Sequence, residues 1–167
     1  MSENALPDVL MPGLKVVFCG TAAGARSAHV GAYYAGRGNK FWRTLHQIGL
    51  TPRLLDPHEF PSVTDYGIGL TDIAKTYSGP DVGLRRAHFD ADGLRRRIEQ
   101  FAPRALAFNG KKAAQAFYGA AVAYGQQTEP IGTTTVFMLP STSGAASGFW
   151  DAGHWQRLAD FLAEGDR

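Results

Sequence analysis

Three short apolar runs divide this chain, and each ends at a residue that breaks regular structure. The run from Lys15 to Cys19 stops at Gly20. Residues 105–108 stop at Asn109-Gly110, while residues 66–73 read as a strand end with its following loop. Residues 134–139 stop at Pro140. Runs of this length bounded by turn residues read as buried strands. Between them the apolar period changes to that of a helix. Phe41, Leu45 and Ile48 form one stripe, with Asn39 placed as an N-cap and Gly49 as the stop. Leu94, Ile98 and Phe101 form a second, ended before Pro103. A helix is also expected from Lys111 to about Phe117, and Trp155, Leu158 and Leu162 stripe the last one. Residues 51–63 read as a Pro-punctuated connection and residues 78–88 as a loop. Strands alternating with helices predict an α/β layered fold around a mainly parallel sheet.

In such sheets ligands sit beyond the carboxyl ends of the strands. The turn Gly20-Thr21-Ala22-Ala23-Gly24, the Thr71-Asp72 pair, the Asn109-Gly110 turn and the segment from Pro140 to Gly144 all fall there. The glycine-rich stretch over residues 20–38 is long for a plain connection, and such loops are often functional. Its glycines fit neither a Walker loop nor the dinucleotide fingerprint. These patterns locate a site without naming its chemistry.

Composition narrows the class. The 167 residues suit one domain with a sizeable core, expected over residues 13–167, with residues 1–12 as a loose tail. No apolar run approaches a membrane span, and residues 1–7 do not have the pattern of a signal peptide. Cys19 is the single cysteine, which excludes an intrachain disulfide and a four-cysteine metal site and suits a reducing cytoplasm. A net charge of +2 does not demand a nucleic-acid partner. Arg85-Arg86, Arg95-Arg96-Arg97 and Lys111-Lys112 are the basic clusters, and Arg95 to Arg97 read as a solvated helix face.

Three segments taken together add more. Phe18-Cys19-Gly20-Thr21-Ala22-Ala23-Gly24, then Gly36-Arg37-Gly38-Asn39-Lys40-Phe41-Trp42, then Leu139-Pro140-Ser141-Thr142-Ser143-Gly144-Ala145 occur in the order and at the spacing of a known family. The chain resembles the mismatch-specific uracil and thymine DNA glycosylases over roughly residues 12–163. The single cysteine separates it from the iron–sulfur uracil glycosylases. The resemblance implies a three-layer α/β/α sandwich around a mainly parallel sheet of four to five strands. It implies a monofunctional enzyme acting on double-stranded DNA that holds a uracil or a mismatched pyrimidine opposite guanine. Such an enzyme flips the base into a pocket and hydrolyses its N-glycosidic bond without metal or organic cofactor. A monomer in the cytoplasm is expected, and no membrane partner.

The resemblance also assigns residues. Gly20, Thr21, Ala22, Ser27 and Tyr34 would form the base pocket, with Tyr34 stacking on the flipped base and Ser27 near the C5 edge of uracil. Lys111 would face the DNA backbone, and Ser141, Thr142, Ser143, Gly144 and Ala145 form the loop that enters the DNA. Two departures stand out. The family's first turn usually reads Gly-Ile-Asn-Pro-Gly, and its Asn positions the hydrolytic water; Ala22 stands in that place. Many relatives also carry a bulky apolar wedge and an arginine in the last loop, where this chain has Ala145 and Ser147.

Ala22 cannot hold a water, so another group at the same edge must. Asp72 is the candidate, since a carboxylate there would orient the water and stabilise a cationic sugar. Asp72 as the N-cap of a short helix over residues 73–75 is the competing structural reading. Asp65, Asp81 and His29 have weaker claims. The competing functional reading is a catalytically silent module that binds damaged or abasic DNA. A nucleoside-hydrolysing enzyme on the same fold is more distant.

Overall fold

The computed structural model describes residues 6–75 and 88–165. The loop expected over residues 78–88, with Asp81 and Arg85-Arg86, falls outside them except for its last residue. Five strands form one sheet in the order β2-β1-β3-β5-β4. They are β1 (Val16–Gly20), β2 (Ile68–Asp72), β3 (Ala105–Asn109), β4 (Gly125–Gln126) and β5 (Thr135–Leu139). All neighbours pair in parallel except β4, a two-residue antiparallel edge beside β5. The α/β class and the sandwich of helices around a mainly parallel sheet are as expected.

Both faces of the sheet are covered, which is why its strands are apolar throughout rather than alternating. Val16, Phe18, Leu70 and Leu139 point into one cluster with Phe41, Leu45, Trp155 and Leu158. Those last four come from α2 (Phe41–Gln47) and α5 (Ala152–Gly165). Val17, Cys19, Leu106 and Met138 point the other way, against α3 (Ala91–Phe101) and α4 (Lys111–Tyr118) through Leu94, Ile98 and Phe117. Phe18 stacks on Trp155 at 5.5 Å and meets Phe41 edge-on at 5.3 Å, an aromatic core under the first strand.

Several expectations need correction. Residues 6–11 are not loose. Leu6 is buried in the core, and Val9 exchanges two backbone hydrogen bonds with Leu70, both 2.9 Å. Apolar burial at Leu6 and satisfaction of an otherwise open edge of β2 hold the segment. Within and just beyond the connection expected over residues 51–63, residues 57–66 form a 3-10 helix started by a capping box between Asp56 and Glu59. The long glycine-rich stretch contains a short helix α1 (Ala25–Val30), closed by Gly31 in the left-handed region. Arg95 and Arg96 are solvated as expected, but Arg97 turns inward: its guanidinium donates to the Asp72 carbonyl at 3.2 Å. No helix among the described residues is long and apolar enough to cross a membrane.

Candidate active site

Four strand ends open onto one cleft of about 610 Å³. The turn after β1, the end of β2, the Asn109-Gly110 turn after β3 and the loop after β5 all line it. Every site position expected from the sequence borders this space: Gly20, Thr21, Ala22, Ser27, Tyr34, Asp72, Lys111 and the five from Ser141 to Ala145.

The floor is built by register. Gly20 and Asp72 are partners across the parallel pair β1–β2. After them Ile73 N donates to Gly20 O at 3.0 Å and Ala74 N to Thr21 O at 2.7 Å, so the two strand ends leave the sheet together. Asp72 is therefore the last residue of β2, and residues 73–75 are bends and turn rather than a helix it would cap. A β-carbon on Gly20 would lie 2.9 Å from Asp72 Oδ1 and 3.1 Å from Tyr34 Oη. Only a residue without a side chain lets the carboxylate and the phenol converge there.

Tyr34 reaches that point from an unusual backbone. Its φ of 53° is left-handed, which costs a tyrosine on the order of 1–3 kcal/mol and marks sites where geometry is held for function. Two contacts impose it. Ser27, itself buried, accepts the Ala35 amide at 2.9 Å, and the Tyr34 ring lies against Phe41 at 4.1 Å between centroids. Ser27 thus lines the pocket and also fixes the turn that carries Tyr34. The Tyr34 hydroxyl is buried and makes no hydrogen bond of good geometry. Burial, then the Asp72 charge, push its ionisation well above the usual range for tyrosine.

The Asp72 carboxyl is pushed up to about 6, chiefly by burial. Lys75 is the strongest pull back down, and Arg97 and the Gly20 amide act the same way, while Asp8 adds to the rise. Behind Asp72 lies a cluster with no signature in the sequence. Lys75 Nζ sits 2.8 Å from Asp8 Oδ1 and donates to Tyr33 Oη at 3.1 Å. Thr71 Oγ1 donates to Asp8 at 2.6 Å, Arg97 Nε lies 3.6 Å from Asp8 Oδ2, and Tyr33 donates to Pro7 O at 2.9 Å. Asp8 and Thr71 are 63 positions apart. No local pattern announces such a partnership.

The mouth is built differently. Asn109 holds Thr142 by two bonds: its amide donates to Thr142 Oγ1 at 2.9 Å, and its carbonyl accepts from Thr142 N at 3.0 Å. Gly110, at φ 112°, passes so close to Ser141 that a β-carbon would meet Ser141 Cβ at 3.2 Å. α4 begins at Lys111 with no side chain capping it, and its first turn borders the cleft. Ser141 Oγ accepts Ser143 N at 3.1 Å, and Ser143 Oγ accepts Ala145 N at 3.2 Å. Both hydroxyls use an acceptor on the loop and keep a donor. Lys40, not the expected Asn39, stands at the N-cap of α2; Asn39, one position earlier, accepts from Phe41 N at 3.0 Å and borders the cleft. Arg26 and Arg37 border it too. Arg37 lies inside the second quoted motif, where a cation between two glycines was the available signal; Arg26 offered none.

A parallel sheet with a deep cleft over its strand ends, floored by a buried carboxylate and rimmed by cations and hydroxyls, places this chain among α/β proteins that hold a ligand at the carboxyl edge. A family model described as "Uracil DNA glycosylase superfamily" matches residues 7–159, and the chain belongs to that superfamily. Membership supports a DNA glycosylase role, with DNA as the molecule acted on. Among solved structures, the fold matches a solution NMR structure titled a "putative Uracil DNA glycosylase" from Methanosarcina acetivorans. The two are 21% identical, with a TM-score of 0.64, over 98% of this chain and 99% of that one.

Proposed function

We propose that this protein is a monofunctional glycosylase that removes uracil, and other modified pyrimidines, from mispairs with guanine in double-stranded DNA. The observation that carries the reading is the buried Asp72 carboxylate at the end of β2, facing the cleft beside Gly20 and Tyr34. The flipped base enters the cleft and stacks on the Tyr34 ring, with Ser27 near its C5 edge. Thr21 and its turn meet the polar edge of the base. As the C1′–N1 bond breaks, the base leaves with the electron pair and the sugar becomes cationic. Asp72, ionised, stabilises that charge and orients a water. The water's oxygen bonds to C1′, and its proton passes to Asp72. The uracil anion takes a proton from solvent, leaving an abasic sugar and free uracil.

A carboxyl group near 6 suits this work, because it is ionised at neutral pH yet basic enough to accept a proton. Lys75, the lysine nearest this acid in sequence, is engaged with Asp8 and Tyr33, which favours water over an amine as nucleophile. Ser141, Thr142, Ser143, Gly144 and Ala145 would grip the strand, with Lys111 on a phosphate. One observation favours a second reading, a silent module that binds damaged DNA: Ala22 supplies no polar group where the family carries its asparagine.

The test is uracil release from a labelled duplex holding one U·G mispair, with Asp72→Asn in parallel. Alkali-revealed cleavage by wild type, reduced by roughly 10²–10⁴-fold in the variant, is the expected result. Tight binding with no release by either protein would favour the silent module.

A further inference from the structure

The loop that meets DNA has no bulky residue at Ala145, yet the same short turn presents one at its far end. The 3-10 turn Gly144–Phe149 ends in Phe149, which is 70% exposed and borders the cleft. An isolated exposed aromatic is ordinary on any protein surface. Phe149 differs in its setting. Its neighbour Trp150 turns inward and packs on Trp155 at 5.9 Å, so the chain divides these two rings between core and solvent.

The turn beneath Phe149 is also braced. Lys40 Nζ donates to Ser147 Oγ at 3.0 Å and lies 5.5 Å from the Trp150 ring centre, and Lys40 N donates to Thr142 O at 2.8 Å. Ser147 Oγ donates to Gly144 O at 2.8 Å, and Gly38 and Gly144 lie close together. A ring on so fixed a support can enter a base stack without a large ordering cost at each encounter. Arg26, Arg37 and Lys111 border the same cleft, opposite in charge to the phosphates of the strands that would flank the ring.

We propose that Phe149 is the wedge of this protein: its ring enters the duplex and fills the space left by the extruded nucleotide. Apolar side chains inserted between base steps stabilise an opened stack in this way. The inference rests on the glycosylase reading above. It makes Phe149 specific for duplex substrate, because a single strand leaves no vacated stack to fill.

The experiment compares single-turnover uracil release from a U·G duplex and from the same labelled strand alone, for wild type, Phe149→Ala and Phe149→Leu. Phe149→Ala should slow duplex release by about tenfold or more, the scale of a lost stacking contact, and leave single-strand release within about twofold. Phe149→Leu should restore most of the duplex rate. A 2-aminopurine beside the uracil should brighten when wild type binds the duplex, and stay dim with Phe149→Ala. This second readout needs no excision, so it tests the wedge even if wild type releases nothing, an outcome that would sink only the catalytic reading. Equal slowing on both substrates, or unchanged rate and brightening in Phe149→Ala, overturns the wedge.

Discussion

The floor and the mouth of the cleft handle their polar groups in opposite ways. At the mouth, Asn109, Thr142, Ser143 and Ser147 make bonds that fix the loop. At the floor, the Tyr34 hydroxyl is buried without a good partner, its backbone is left-handed, and the Asp72 carboxyl is pushed up to about 6. The mouth is organised as a rigid surface. The floor keeps the Tyr34 hydroxyl unsatisfied and the Asp72 carboxyl perturbed, as expected where a reacting molecule is to complete the bonding. Stability and chemistry should therefore separate when each region is altered.

After loss of the Asp72 carboxylate itself, the largest effect is expected from Gly20→Ala. The new methyl would collide with both Asp72 Oδ1 and Tyr34 Oη. Uracil release should fall about 100-fold, the scale of a catalytic group misplaced by about an ångström. Full activity in that variant would mean that the convergence at Gly20 is incidental.

Asp72→Asn should separate stability from activity. The folded carboxyl near 6 lies above its ordinary 3.8, so the folded state favours the protonated form. The benefit of that protonated form is fully present below about 3.8 and lost as pH rises through about 6. An amide in place of this carboxyl never ionises, so the variant should gain up to about 3 kcal/mol over wild type above about pH 6 and nothing near about pH 3.5. Denaturant unfolding at the two pH values checks this. A variant less stable than wild type well above pH 6 would show that Lys75 and Arg97 need the charge more than burial opposes it.

Ser27→Ala removes the acceptor of the Ala35 amide and should cost about 1–2 kcal/mol by denaturant unfolding, with a poorer fit of base to pocket. An unchanged midpoint and rate would mean that the Tyr34 turn is held by ring packing alone. The smallest effect belongs to the mouth. Lys111→Ala should weaken duplex binding a few-fold, equally for every sequence, and reduce the salt slope by about one. A loss confined to uracil-containing DNA would instead place Lys111 in base recognition.

The contrast between floor and mouth also explains what could be read from sequence. The strand ends were legible because Gly20, Asn109-Gly110 and Pro140 each interrupt a run of apolar residues. The burial of both sheet faces makes those runs continuous. Helix α2 was legible from Phe41 and Leu45, which face the core one turn apart. β4 was not, because Gly125–Gln126 has only two residues and takes its geometry from β5. The 3-10 helix over residues 57–66 had a readable signal in its Asp56–Glu59 capping box, overshadowed by Pro57 and Pro61. The partners behind Asp72 were beyond reach. Asp8, Lys75 and Arg97 come from three separate segments, and tertiary packing alone unites them. Phe149 was hidden for another reason: the family pattern points to Ala145, while the turn presents its large side chain at the other end.

The most direct measurement of the central claim is the pH dependence of single-turnover uracil release from a U·G duplex between about pH 5 and about pH 9. With Asp72 as the group that orients water, the wild-type rate should rise about tenfold per unit at the acidic end, bend near about 6 and level above it. Asp72→Asn should stay flat at a residual rate across the range. A variant that keeps the wild-type rate and the same bend would contradict the account and move the chemistry to another group in the cleft.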